Sequence, residues 1–468
     1  MFVSVLFDVE DLVDPGSDDV PRDIAQILAA DGLIASMCVV GEKARLWERR
    51  GRHDVIQAVG QHDVSLHTNR HSIHPTVSEY LADRGWIDGV AEAMEREDTG
   101  ARDLVRILGK YPSSWGTSGS SWAPQIPAAT RRLGIPSHVY SLAETGTTGA
   151  CWFAGQLCYY DQIFIPGGED ALCDDAQFEI SLSALLQKVQ KAQQLGRECI
   201  GLFAGHPTRY RYTVFWDALN YADGENTDPH SYRFAPRRSA ETYVIGLRNL
   251  RRMLLAVREM PGIDIAPLRA VNGRFALEAS PIFAEGVQNL ALEVADSATI
   301  ATDNPTSSPA QSLDILARMF LHVRETGSTP AAMLQRTVLG PTEEPSRLDT
   351  PMELSIEHLE NIARSLVQHI DTTGHLPASL DSDATPIGPG PLLGGLARTV
   401  AAFSQGKQIE STTMPPGFDE PAAAVQLSRY IHERLPGWPP HRRDLQLDGL
   451  ALHTRLQSWS MKPAALSK

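Results

Sequence analysis

Hydrophobic and polar positions alternate along the first half of the chain in blocks that predict strands and helices in turn. The run FVSVLFDV is apolar and β-branched almost throughout, which is typical of a buried strand. A polar loop, a helical pattern through DIAQILAADG and a second buried run, IASMCVVG, follow it. This order favours an α/β fold with a parallel sheet, in which functional side chains lie at the carboxyl ends of the strands.

The same order continues into the middle of the chain. Further helices are predicted at HDVIQAVG and AATRRLGI, and further strands at DVSLH, PSHVYSL and CIGLFAGH. The acidic stretch from Asp8 to Asp11, His67 and His206 each fall at the end of a predicted strand. The pattern therefore predicts that these side chains meet at one edge of the sheet.

The second half of the chain has a different pattern. The segment DSATIATDNPTSSPAQS is rich in Ser, Thr, Asp and Pro, as linkers are. We predict a (β/α) barrel domain over residues 1–280, a linker over 281–310 and a mostly α-helical repeat domain over 311–468. The repeats are inferred because ILARMFLHVRETGSTP is echoed by NIARSLVQHIDTTGHLP and, more weakly, by LSRYIHERLPGWP. These units resemble pseudomurein-binding repeats, which are small modules of cell-wall-associated proteins.

Composition and charge exclude several classes of function. The net charge of -15 and the lack of a basic run with interleaved aromatic residues argue against a nucleic-acid partner. No apolar run approaches the roughly 18 residues of a membrane helix. The N-terminus MFVSVLFDVED lacks the features of a signal peptide, so a cytoplasmic location is expected.

The 468 residues suggest two domains, and the sequence leaves open whether the chain forms a homo-oligomer. The five cysteines show no CxxC spacing and are interpreted as free thiols.

Two clusters carry candidate chemistry. The stretch QHDVSLHTNRHSIHP contains four of the fifteen histidines, and His67 and His71 have the spacing that lets two imidazoles on a helical turn share one metal ion. The first strand ends in Asp8, Glu10 and Asp11, and crowded carboxylates are costly unless they are solvated, protonated or bound to a cation. The plain alternatives are a solvated helix face for the histidines and an acidic loop or helix cap for the carboxylates.

Five stretches, in order, resemble the motifs of the polysaccharide deacetylase (NodB-homology) family, which is carbohydrate esterase family 4. FDVED is similar to a variant of the TFDDG motif, IASMCVVG to the second strand, and QHDVSLHTNRH to GHEIGNHTxxH. YPSSWGTSGSSW followed by a helix is similar to the third motif, and GLFAGHP to the late strand with a lone histidine. The resemblance implies a distorted (β/α)7-type barrel.

The resemblance also implies roles for individual residues. Asp8 would be the general base and His206 the general acid. A divalent metal ion, with zinc expected, would polarise the amide carbonyl and lower the pKa of its bound water. The ligands would be His67, His71 and an acid from Glu10 or Asp11. Strand geometry favours Glu10, because it lies on the same side of the strand as Asp8, whereas the family's preference for aspartate favours Asp11.

Two other histidines need an interpretation. His62 aligns with a structural position of the family and is expected to be packed or at the surface. His74 precedes Pro75 and could reach the metal as a fourth ligand, although an ordinary loop histidine is the plainer interpretation.

The chain departs from the family at the third motif, where an arginine normally orients the catalytic aspartate. No arginine stands in SSWGTSGSSW, and the nearby Lys110 lacks the bidentate fork of a guanidinium. Trp115 and Trp122 are predicted either to stack on a sugar as a substrate-binding rim or to close the barrel. Trp216 and Asp217, in the long aromatic loop after His206, are predicted substrate contacts, with loop packing as the alternative for Trp216.

Two hypotheses follow. The first is a metal-dependent hydrolase that removes an N-acyl (or O-acyl) group, acetyl above all, from a carbohydrate or glycoconjugate, with a formyl amide or a small cyclic amide also open. The second is a carbohydrate- or cell-wall-binding protein with a catalytically impaired barrel. The missing arginine favours binding, whereas a retained base and acid favour hydrolysis.

Overall fold

A computed structural model of the chain describes residues 1–139, 149–158, 162–297, 299–380, 385–435 and 441–467. Within these ranges the main sheet has eleven strands. They are β1 Phe2–Val9, β2 Ser36–Val39, β3 Asp63–Leu66, β4 Trp115–Gly116, β5 Ser137–Val139, β6 Cys151–Phe153, β7 Gln156–Cys158, β8 Gln162–Phe164, β9 Cys199–Gly205, β10 Asp264–Ile265 and β15 Lys462–Pro463. Two further pairs stand apart, β11 Ile282–Phe283 with β12 Ala332–Met333, and β13 Met352–Ser355 with β14 Ser411–Met414.

The sheet is curled and mostly parallel, which confirms the predicted α/β class. Its order is β15-β6-β7-β5-β4-β3-β2-β1-β9-β8, with β10 paired to β1. Every pairing from β8 through β7 is parallel, and only β6 and β15 run antiparallel to their neighbours. The predicted first strand, FVSVLFDV, coincides with β1, whose residues beyond Phe2 are buried.

The helices pack around this sheet and continue into the second half of the chain. Those before residue 280 are α1 Asp19–Ala30, α2 Gly41–Arg49, α3 His53–Val59, α4 Val77–Leu81, α5 Trp86–Leu108, α6 Gln125–Arg132, α7 Gly168–Leu172, α8 Asp175–Gln194, α9 Pro207–Arg211, α10 Trp216–Asn220, α11 Ala240–Arg258 and α12 Leu268–Asn272. Those after it are α13 Ala284–Asp296, α14 Pro309–Thr326, α15 Ile356–Thr373, α16 Pro389–Ser404, α17 Ala424–Arg434 and α18 Asp448–Gln457. None of the helices in the described ranges has the length and apolar character that crossing a bilayer requires.

Parallel pairing brings the carboxyl ends of three strands to one level. Val9 of β1 aligns with Val39 of β2, and Val39 aligns with Leu66 of β3. On the other side of β1 a register shift opposes Phe7 to Gly205 of β9. The residues that follow these pairs therefore emerge together at the edge of the sheet, as the strand pattern predicts.

Residues beyond 280 form a second hydrophobic core between α13, α14, α15 and α16. The first two sequence echoes correspond to α14 and α15, which both end at a left-handed glycine, Gly327 and Gly374. The end of the chain returns to the first core, where Leu450 and Met461 are buried and β15 extends the sheet. The domain boundaries and the repeat hypothesis stay predictions. Part of the predicted strand PSHVYSL and the end of the third echo lie outside the described residues.

Candidate active site

The two histidines of the HTNRH stretch converge from a loop. Thr68 and His71 both have positive φ, 56° and 51°, so the prediction of a helical turn is wrong. The His71 N–H donates to the Thr68 hydroxyl at 2.8 Å, which closes a tight turn. This turn still brings the rings of His67 and His71 to a centroid distance of 5.0 Å.

The residue between them, Asn69, holds the loop in place. Its side-chain amide donates to the carbonyl of Arg96 at 2.7 Å, and its backbone N–H donates to Glu97 at 3.1 Å. A Cβ at Gly41 would lie 2.7 Å from Asn69 Oδ1, and one at Gly100 would lie 3.1 Å from its Cα. Glycine at both positions therefore lets α2 and α5 approach the loop closely.

Glu10, His67 and His71 form a cluster whose ligand atoms all lie within 4.8 Å of one another. Glu10 Oε2 is 2.9 Å from His71 Nε2 and 3.7 Å from His67 Nε2. These spacings suit one ion at about 2.1 Å from each atom, and two imidazoles with one carboxylate are a common zinc ligand set.

The charge and the hydrogen bonding of the cluster also suit a bound cation. His71 Nε2 is buried, and despite its distance to Glu10 it makes no hydrogen bond of acceptable geometry. Burial by itself raises the pKa of Glu10, but the charges of His71 and His206 hold that pKa well below its ordinary value. A charged carboxylate and an unused imidazole nitrogen thus face the same point, and these residues fit a divalent metal.

Asp11 has a different environment from Glu10. Its Oδ1 accepts the N–H groups of Val13 and Asp14 at 2.9 and 3.2 Å, and its Oδ2 accepts the Thr208 hydroxyl at 2.9 Å. Burial raises the pKa of Asp11, and Lys43 opposes this rise. Asp11 therefore caps the loop after β1, while Glu10 faces the histidines.

Asp8 and His206 lie beside the cluster. Asp8 Oδ2 is 3.6 Å from His67 Nε2 and 3.9 Å from His206 Nε2. The Asp8 side chain is 9% exposed and that of His206 is 23% exposed, against 1% for His67. His206 is thus the group of the site that solvent reaches most easily.

Glu169, which the sequence did not single out, holds His206 in place. Its Oε1 lies 2.8 Å from His206 Nδ1 and accepts the His206 backbone N–H at 2.6 Å. Burial alone lowers the pKa of His206, but the charges of Glu10, Glu169 and Asp8 outweigh it and raise that pKa to about 9. Burial likewise works to raise the pKa of Glu169, but its hydrogen bonds with His206 bring it below the usual value.

Gly205 makes room for this pair. Its φ is 109°, and a Cβ there would lie 2.7 Å from Glu169 Oε1. Only glycine adopts such a backbone without strain, so the glycine before His206 allows the carboxylate to approach.

Replacing Glu169 with glutamine is expected to lower the pKa of His206 in the metal-free protein from about 9 towards the ordinary 6.5, because one of the carboxylates that stabilise the imidazolium is lost. NMR titration of the His206 ring protons measures this pKa. Asp170→Asn is the matched control, since Asp170 pairs with Arg209 rather than with His206. An unchanged titration in Glu169→Gln would contradict the assignment.

The three tryptophans are buried, which favours the packing alternative over the predicted sugar-stacking rim of Trp115 and Trp122 and the predicted substrate contact of Trp216. Trp115 and Trp122 pack against the buried His138, with ring centroids at 4.7 and 5.2 Å, and so present no face to a substrate. Trp216 is also buried; its indole N–H points at Glu10 Oε1 at 3.4 Å and its ring lies 5.6 Å from His71. Packing explains the first two, and Trp216 supports the ligand cluster.

Neither of the remaining histidines of the stretch is free to bind metal. His74 uses both nitrogens, with Glu79 at 2.7 Å and the Tyr221 carbonyl at 2.9 Å. His62 is packed against the Ala25 carbonyl at 2.9 Å. Lys110 donates to the His62 carbonyl at 2.5 Å and so does not replace the arginine of the third motif.

Comparison with known proteins finds similar solved structures but no matching family model. No protein-family model matches the chain, and no curated protein matches its sequence. It is similar to a solved structure of a protein from Mycobacterium smegmatis described as a polysaccharide deacetylase, at 12% identity over 58% of this chain and 88% of that chain, with a TM-score of 0.37. It is similar to Puue allantoinase at 13% identity over 58% and 89%, with a TM-score of 0.36. It is also similar to a mutant of a CE4 family pseudoenzyme with restored enzymatic activity, at 9% identity over 58% and 67%, with a TM-score of 0.32.

Glu97 supports the loop, and we expect it to make the stability of the fold depend on pH. Its Oε2 accepts the Trp115 indole N–H at 2.7 Å in addition to the Asn69 N–H, and burial raises its pKa to about 7. The folded protein therefore holds a proton that the unfolded chain has lost between pH 4.5 and 7.

The stability that protonated Glu97 contributes should be lost as pH rises through 7. This loss lowers the free energy of unfolding by about 3 kcal/mol. Glu97→Gln should remove most of this dependence, whereas Glu95→Gln, on the exposed side of α5, should not. Chemical denaturation at several pH values measures the difference. Equal slopes in Glu97→Gln and the parent would show that Glu97 does not take up this proton.

Proposed function

We propose that the chain is a metal-dependent hydrolase that removes an N-acyl group, with acetyl as the first candidate, from a sugar-containing substrate. The observation that supports this most is that two groups of opposite charge, Asp8 and His206, lie beside the cluster of three ligands. Asp8 lies 3.6 Å from His67 on one side of the cluster and 3.9 Å from His206 on the other. A binding site alone has no need of a base and an acid at this spacing.

The proposed metal ligands are Glu10, His67 and His71. A divalent ion bound there would supply a Lewis acid for the amide carbonyl and acidify a water molecule. Trp216 keeps Glu10 in position through its indole N–H, and its burial keeps bulk water from that side of the cluster.

Asp8 is the proposed base. Its Oδ2 lies 3.6 Å from His67 Nε2, beside the ligand cluster, so a water molecule held at the cluster would be within hydrogen-bond reach of it. The proton of the attacking water passes to this oxygen as the water adds to the acyl carbon.

His206 is the proposed acid. With a pKa of about 9 it carries a proton on Nε2 at neutral pH, while Glu169 accepts the hydrogen bond from Nδ1. The departing amine takes the Nε2 proton when the C–N bond breaks. The rings of Phe203 and Phe215 flank the imidazole with centroid distances of 5.0 and 4.8 Å, so the proton is delivered in a partly apolar setting.

The proposal is tested by substrate hydrolysis. Zinc-loaded protein is incubated with N-acetylated amino-sugar oligomers, with N-formylated amino sugars and with a small cyclic amide, and the released carboxylate is followed by proton NMR. Release of acetate by the parent, lost after chelation and restored by zinc, is the expected result. Stoichiometric metal without hydrolysis of any substrate would overturn the proposal, and calorimetry with the same oligomers would then test the alternative of a carbohydrate-binding barrel.

A further inference from the structure

A buried chain of hydrogen bonds runs from the loop after β9 to one of the proposed metal ligands. The Ser72 hydroxyl donates to Asp217 Oδ2 at 2.7 Å, and the same hydroxyl oxygen lies 2.7 Å from His71 Nδ1. Both Ser72 and Asp217 are completely buried. Asp217 is held by the short helix α10, on the segment that also carries Trp216.

The direction of these hydrogen bonds decides which nitrogen of His71 carries the proton. A hydroxyl has one proton, and here it points at the carboxylate. The contact between Ser72 and His71 is then made by Nδ1–H donating to the hydroxyl oxygen. Nε2 is left with a free lone pair, and it is Nε2 that faces Glu10 at 2.9 Å.

The opposite arrangement would block metal binding. If Ser72 donated to Nδ1 instead, the proton of the neutral ring would reside on Nε2, which could no longer act as a ligand. A buried acceptor beyond Ser72 is what prevents this reversal, because the hydroxyl proton satisfies a desolvated carboxylate more strongly than it satisfies an imidazole.

The influence of Asp217 on His71 is indirect. Asp217 Oδ2 is 4.0 Å from His71 Nδ1, too far for a direct hydrogen bond, so its influence on the ring passes through Ser72.

We propose that Asp217 is a positioning residue that, through the Ser72 hydroxyl, keeps His71 in the tautomer whose Nε2 binds the metal. This inference rests on the metal site of the proposed function. It assigns Asp217 a role other than the substrate contact predicted from its place in the aromatic loop.

Two measurements on Asp217→Asn and Ser72→Ala test the proposal. The first is the zinc affinity from competition with a chromophoric chelator, which should fall about 10- to 100-fold in each variant, as expected for the loss of an outer-shell partner. Because the two residues act in series, the double variant should bind zinc about as weakly as either single variant.

The second measurement is the tautomer of neutral His71 in the metal-free protein, read from the imidazole nitrogen chemical shifts above pH 8, because burial and the charge of Glu10 raise the pKa of Asp217 to about 8. The parent should show the proton on Nδ1, and Asp217→Asn should shift it towards Nε2. Asp223→Asn is the control, since Asp223 follows α10 but is exposed and pairs with Arg443 at 2.9 Å rather than with Ser72; it should leave both readouts unchanged.

Parent-like zinc affinity in Asp217→Asn and Ser72→Ala, or an additive loss in the double variant, would overturn the proposal. A parent that binds no zinc at all would instead overturn the proposed function. In that case the His71 tautomer, which is measured without metal, still decides whether the hydrogen-bond chain acts as described.

Discussion

Replacing Asp8 with asparagine is expected to lower kcat about 10²- to 10⁴-fold while the metal stays bound, because the amide keeps the shape of the carboxylate but cannot accept the proton of the attacking water. Asp8 is not one of the three clustered ligands, and its carboxylate lies between His67 and His206. Acetate release under saturating substrate, measured alongside metal content, separates the loss of a base from the loss of the ion.

Asp14→Asn is the matched control for this change. Asp14 also follows β1, but it pairs with Arg237 at 2.9 Å and accepts the Gly16 N–H at 2.8 Å, away from the histidines. It should keep the kcat of the parent. If Asp8→Asn retained full kcat, the base would have to be another group and the proposed mechanism would be wrong.

Replacing Glu10 with glutamine is expected to weaken zinc binding more than about 100-fold, beyond what the loss of an outer-shell partner costs. The substitution removes the one carboxylate of the cluster and its negative charge, while the side chain keeps its size. Competition with a chromophoric chelator measures the affinity.

Asp11→Asn is the comparison that separates the two acids. Its amide oxygen can still accept the N–H groups of Val13 and Asp14, so the loop should remain capped and zinc should bind as in the parent. Loss of zinc in Asp11→Asn with retention in Glu10→Gln would mean that Asp11, and not Glu10, is the acidic ligand.

Local patterns were enough to predict the part of the site that lies at strand ends. A continuous apolar run marks β1, and the parity of a strand places Asp8 and Glu10 on one side, as the structure has them. The spacing of His67 and His71 predicted a shared ion but also a helical turn, which is wrong because Thr68 and His71 adopt left-handed backbone conformations.

Contacts between distant segments could not be read from these patterns. Glu169 lies 37 residues before His206, and Asp217 lies 145 residues after Ser72, so only the folded chain shows that they are partners. The tryptophans illustrate the same limit. An aromatic residue in a Gly- and Ser-rich stretch suits a sugar-binding rim or a core equally well, and tertiary packing buried Trp115 and Trp122.

The central claim is that Glu10, His67 and His71 bind a catalytic metal ion. The measurement that tests it most directly is the metal content of the parent, His67→Ala and Asp8→Asn by inductively coupled plasma mass spectrometry, after purification without added metal. We predict about one zinc or similar ion per chain in the parent and in Asp8→Asn, and none in His67→Ala. A parent without metal even after soaking in zinc, or a His67→Ala variant that retains the full amount, would contradict the claim.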